Sequence, residues 1–98
     1  MQPSSNNESI VISSVDDIGR AIRSARKKQG LTQQQFADIV GVGVRFLSEL
    51  ERGKSTAEVG LVLRVLEGAG FDVSLRPRNF SAHHGIRRFD KPGDGADQ

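Results

Sequence analysis

The stretch Gln33 to Arg52, QQQFADIVGVGVRFLSELER, limits what this chain can fold into more than any other. Phe36, Ala37 and Val40 recur at i, i+1 and i+4, a helical period. Gly41 breaks the pattern, and Val42 is a lone apolar residue in the break. Leu47 and Leu50 resume it at i, i+3. Two short helices joined by a tight Gly-containing turn must bury their inner faces against each other. Ala37 is small where the first helix passes closest to the second. Gly41 has no Cβ and takes a positive φ at no steric cost. The stretch therefore reads as a helix-turn-helix. Its second helix presents Val44, Arg45, Ser48 and Glu49 outward.

The longer run LTQQQFADIVGVGVRFLSELERGK, Leu31 to Lys54, resembles the Cro/repressor-type (XRE) helix-turn-helix family. Phe36, Val40, Val42, Leu47 and Leu50 meet its apolar positions, Ala37 its small position and Gly41 its glycine. Both flanks, Leu31-Thr32-Gln33 and Glu51-Arg52-Gly53-Lys54, match as well, which makes the pattern specific. The resemblance implies double-stranded DNA as partner, with the second helix in a major groove. The plain alternative is a helical domain whose two helices merely pack.

The outer residues suit base readout. Arg45 can pair bidentately with guanine O6 and N7. Ser48 can hydrogen-bond almost any base edge, and Val44 can press on a thymine methyl. Glu49 fits two roles: accepting from a cytosine amino group, or pairing with Arg45 or Arg52 at helical spacing. Two positions depart from the family. Gly43 is the N-cap where Ser or Thr is usual, and Phe46 stands off the core stripe, fit either to shield the turn or to meet the DNA backbone. For backbone contact the candidates are Gln33, an anchor in the resembling family, the closing cations Arg52 and Lys54, and Arg23, Lys27 and Lys28 of an earlier helix.

The chain of 98 residues is long enough for one small domain. A core of that size buries a limited share of its surface, so dimerisation would help. With no cysteine to staple it, the expected compartment is the cytoplasm. No apolar run approaches the ~20 residues that span a bilayer, so no membrane role is expected. The start MQPSSNNES lacks the charge and apolar run of a signal peptide. A net charge of +2 is weak evidence for nucleic acid; its placement matters more.

Residues 1–13 read as a flexible arm, with residues 10–12 fitting either a short edge strand or an apolar segment lying on the domain. Residues 14–70 form the helix-turn-helix domain. Ser14 caps a helix running to about Gln29, stopped by Gly30, with Ile18, Ile22 and Ala25 inward. Its cations, Arg20, Arg23, Arg26, Lys27 and Lys28, exceed what capping requires, so phosphate contact by one or two is expected. Thr32 caps the next helix. Ser55 or Thr56 caps the last one, Ala57 to about Gly68. That helix carries two apolar stripes: Val59, Val62, Leu63 and Leu66, and then Leu61 and Val65. A second stripe suggests cover by another subunit. Residues 71–76 alternate as a half-buried strand, with Phe71, Val73 and Leu75 joining Leu61 and Val65 as dimerisation candidates. Residues 77–98 read as a flexible tail. His83-His84 has no third ligand nearby and makes a poor metal site. Gly93 and Gly95 lack the Lys and helix of a phosphate loop.

The expected fold is mainly all-α: four helices of lambda-repressor-like type with a C-terminal strand in an intersubunit sheet. That ending resembles the HipB-type antitoxins, whose usual partner is a HipA-type kinase toxin. The expected function is thus a homodimeric, sequence-specific repressor on a palindromic operator and the antitoxin of such a pair. The alternative is a stand-alone repressor without a toxin. An enzyme is not expected, since no carboxylate pair or nucleophile–base pair stands on a plausible scaffold. No cofactor and no metal is expected.

Overall fold

The computed structural model describes residues 9–78, so the expectations for residues 1–8 and 79–98, including His83-His84 and the glycine-rich end, lie outside the described residues. Four helices follow in order: α1 (Val15–Lys28), α2 (Gln33–Val40), α3 (Val44–Glu51) and α4 (Val59–Gly68). α1 packs on α3, α3 on α2, and α2 on α4. Ile22, Phe36, Ala37, Leu47, Leu50, Val62, Val65 and Ala69 form one buried core. Each large apolar side chain fully removed from water there contributes about 1.5–3 kcal/mol.

The helix ends follow local chemistry. Ser14 holds the N-cap of α1, but its hydroxyl caps nothing. The Asp17 carboxylate accepts the Ser13 N–H at 2.7 Å instead. α2 begins with a capping box. The Thr32 hydroxyl accepts from the Gln35 N–H, and the Gln35 side chain accepts from the Thr32 N–H. This satisfies two otherwise orphaned donors. At the end of α2, Gly41 takes φ 81° and ψ 36°, left-handed as its place in the turn requires.

Three expectations need correction. The cap of α4 is neither Ser55 nor Thr56 but Glu58, whose carboxylate accepts from the Gly60 and Leu61 N–H groups at 3.1 Å each. Ser55 and Thr56 lie in a turn before it. Glu58→Ala should cost about 1 kcal/mol in a denaturant melt, and Ser55→Ala almost nothing. Equal losses from the two would contradict the assignment.

The inward face of α4 also differs from the expected one. Val65 is fully buried in its own chain, with Val62 and Ala69 beside it, so it offers no surface to a second subunit. Leu61 is half-buried. The outward apolar pair is Val59 and Leu63, 68% and 47% exposed. Because α4 is apolar nearly all round, apolar positions alone do not set its phase. Its polar side does: Gly60, Arg64 and Glu67 recur at i, i+4 and i+7, opposite Val62, Val65 and Ala69.

Phe71 likewise belongs to the chain's own core, against which its ring packs. Its N–H donates to the Leu66 carbonyl as the chain turns at Gly70, φ 96°. Val73 and Leu75 remain exposed. No strand occurs among the described residues, residues 10–12 and 71–76 included. A sheet shared between two copies would not appear in a single chain.

Candidate nucleic-acid interface

The outer face of α3 is held in place from three sides. α2 supports it through Phe36 and Ala37, which meet Leu47 and Leu50 in the core. α1 approaches so closely that a Cβ built on Gly19 would lie 2.5 Å from the Leu50 carbonyl oxygen and 2.8 Å from that of Glu51. From α4, the Arg64 guanidinium donates to the Gly41 carbonyl at 3.2 Å and tethers the turn.

Beneath α3 lies an ion pair that the sequence reading missed. Arg26 donates through Nε and Nη2 to the two Glu51 carboxylate oxygens at 2.7 and 2.8 Å, and through Nη1 to the Leu31 carbonyl at 2.7 Å. The two side chains are only 8% and 3% exposed. Arg26 is therefore removed from the cations available to phosphate. Gln33 completes the cluster by donating its amide N–H to Glu51 at 3.0 Å. Burial pushes the Glu51 carboxyl up. Hydrogen bonds from Arg26 and Gln33, with the charges of Arg26 and Arg23, outweigh burial and hold it below its ordinary value. The signal was present in the sequence: Arg26 follows Ile22 by one turn on the buried face, and Glu51 follows Leu47 likewise.

The expected base-reading residues share one surface. Val44 is exposed, and the Arg45 side chain is 89% exposed. Ser48 is half-buried, its hydroxyl accepting from Arg52 Nη1 at 2.9 Å. The Glu49 carboxylate accepts from Lys54 Nζ at 3.0 Å and, more loosely, from Arg45 Nε at 3.4 Å. Those hydrogen bonds, the one from Lys54 first, hold the Glu49 carboxyl below its ordinary value against its partial burial. Phe46, open to two readings, packs against the core.

Among the backbone candidates, Arg52 and Lys54 join this surface directly, whereas Gln33 has its amide on the buried Glu51 beneath it. Arg23 is exposed one turn before Arg26, near enough for its charge to act on Glu51. Lys27 and Lys28 are exposed on the last turn of α1, with no bond tying them to the α3 surface. The assembled surface is a short helix bearing an extended cation, a hydroxyl and an apolar tip, with two more cations at its end. That set suits a duplex: charge for phosphate, and donors and acceptors for base edges. No helix among the described residues is long and apolar enough to cross a membrane.

Known proteins agree with this geometry. Residues 22–74 match the helix-turn-helix family. The chain is 46% identical over 59 residues to an uncharacterised HTH-type transcriptional regulator of Sinorhizobium fredii, spanning 60% of this chain and 78% of that one. It is 54% identical over 37 residues to the competence pilus inhibition repressor of Acinetobacter baylyi, spanning 38% of this chain and 34% of that one. Among solved structures, HipB in its O4 20mer complex superposes with a TM-score of 0.63 at 19% identity, over 70% of this chain and 97% of that one. A chain of the HipA-HipB-O2-O3 complex gives 0.64 at 19% identity, over 70% and 97%. At such identity the likeness is one of fold.

Proposed function

The chain belongs to the helix-turn-helix family of DNA-binding transcriptional regulators, and on that footing we propose that it is a homodimeric repressor that reads a palindromic operator in the cytoplasm and serves as the antitoxin of a HipA-like kinase toxin. It has no catalytic role of its own. The observation that carries the DNA reading is the α3 surface, where Arg45 extends into solvent between Val44 and Ser48 while Arg52 and Lys54 flank it. Two such helices would enter successive major grooves about 34 Å apart. The exposed Val59, Leu63, Val73 and Leu75 are among the apolar residues available to a twin. Their cover would spare about 25 cal/mol for each Å² removed from water.

The antitoxin assignment draws on likeness of fold to HipB, which is held in complexes with a 20mer and with HipA. The relatives in sequence support a second reading, a stand-alone repressor, since one of them is the competence pilus inhibition repressor of Acinetobacter baylyi. Co-purification with the product of the neighbouring reading frame separates the two. A kinase-like partner that is toxic alone and silenced by this chain supports the antitoxin. Its absence leaves the repressor.

Arg45→Ala should weaken binding to a duplex selected from a random library roughly tenfold, about 1.4 kcal/mol, and relax one base position. Arg52→Ala should weaken selected and scrambled duplexes alike and flatten the salt dependence by about one unit of log–log slope. Fluorescence anisotropy across a KCl series measures both. A selective loss with Arg52→Ala, or a uniform one with Arg45→Ala, would exchange their roles.

A further inference from the structure

We propose that Glu49 sets specificity by competing, within the protein, with DNA phosphate for Lys54. This rests on the DNA-binding reading and adds a negative element to it. The Glu49 carboxylate is the only acidic side chain on the outward surface of α3 among the described residues. It is 25% exposed and joined to Lys54 at 3.0 Å and Arg45 at 3.4 Å. Glu49, Arg52, Gly53 and Lys54 also line a shallow open depression at the end of α3, where a phosphate would approach those cations.

The consequence is an exchange. A phosphate that takes Lys54 leaves the carboxylate facing the polyanion without its partner, a like-charge contact. On a duplex that offers a base-edge donor such as a cytosine amino group, the carboxylate finds a replacement. On other duplexes it finds none, and either Lys54 stays with Glu49 or the carboxylate stays unpaired. Glu49 therefore weakens binding to the wrong sequence more than to the right one, which is how discrimination is built from repulsion. Lys54, beyond the end of the helix, makes the tighter contact at 3.0 Å, and Arg45, one turn before Glu49 on α3, the looser one at 3.4 Å.

The test uses the full chain, a duplex selected from a random library by the wild-type protein, and a scrambled duplex of equal length. Glu49→Gln keeps the shape and removes the charge. It should tighten binding to the scrambled duplex about fivefold and steepen its log Kd against log salt slope by about one, as Lys54 becomes free to displace a counterion. The ratio of selected to scrambled affinity should fall. Adding Lys54→Met to Glu49→Gln should erase both the gain and the extra slope. Unchanged affinity and slope on the scrambled duplex, with wild type binding the selected one, overturns the role of Glu49 alone. Wild-type protein that binds neither duplex overturns the DNA-binding reading itself, and this inference with it. A gain that survives Lys54→Met also overturns the proposal, because the freed cation would not be its source.

Discussion

Arg26→Met is expected to remove most of the protein's stability at 25 °C. The guanidinium makes three hydrogen bonds in the interior, two to Glu51 and one to the Leu31 carbonyl. Its removal leaves a carboxylate that is 3% exposed without a cation in contact. Breaking one side of a buried pair costs about 3–5 kcal/mol. A domain of this size has a total stability on the order of 5 kcal/mol. Urea denaturation followed by circular dichroism should show the loss as a lower midpoint or as no folded baseline. Arg26→Met with Glu51→Leu should recover much of it, since apolar residues can replace a buried pair with little loss. A single variant that melts like the wild type would show that the pair holds nothing.

The same carboxylate predicts a pH dependence. Its pKa is lower in the folded chain than its ordinary value of 4.5. A depressed acid contributes stability that is complete above that value and is lost as pH falls through the folded pKa. Wild-type stability should therefore drop as pH falls below about 4.5 and through the lower folded pKa. In any Arg26→Met molecules that still fold, burial opposes the charge with less to offset it. Lowering the pH should then relieve the defect, the opposite sign. Stability profiles that fall in parallel for both proteins would contradict this account of Glu51.

Gly19→Ala should cost about 2 kcal/mol net, with a fall in Tm of roughly 10 °C. The added Cβ would sit 2.5 and 2.8 Å from the carbonyl oxygens of Leu50 and Glu51. These are backbone atoms, and no rotamer can move them aside. The overpacking cost is near the upper end of about 1–3 kcal/mol, while the better helix propensity of alanine returns about 1 kcal/mol. The strain also reaches the interface. Relief requires α1 and α3 to separate, which shifts the helix that carries Arg45 and Ser48. DNA affinity should fall even under conditions where the variant is folded. The change Gly43→Ala is the control: no atom lies within 4 Å of a Cβ built there, and its φ is −72°. It should cost only about 0.5 kcal/mol, because alanine is the poorer N-cap, and a loss as large as that of Gly19→Ala would remove the steric explanation.

What could be read from the chain follows from the range of the forces involved. Helix caps, turns and short periodicities depend on neighbours within about four residues. Thr32, Gly41 and Gly43 therefore mark α2, the turn and the start of α3 in the residue string itself. The outward set Val44, Arg45, Ser48 and Glu49 follows from the same periodicity once Leu47 and Leu50 point inward. The capping box of Thr32 and Gln35 and the polar face of α4 are equally local and equally legible. Glu58 was harder, since Ser55, Thr56 and Glu58 all have side chains able to cap and only the path of the chain selects one.

Only the packed structure decided the rest, because it depends on residues far apart along the chain. Arg26 and Glu51 are 25 positions apart. Each falls on the inward face of its own helix, but only the docking of α1 on α3 brings the two together away from solvent. Gly19 is an ordinary weak spot in a helix until the carbonyls of α3 are set against it. Val65 and Phe71 looked like surface for a partner until α4 docked on α2 and took them into the core. Local order is written residue by residue, but burial is a property of pairs of elements, and it appears only when the chain has brought them together.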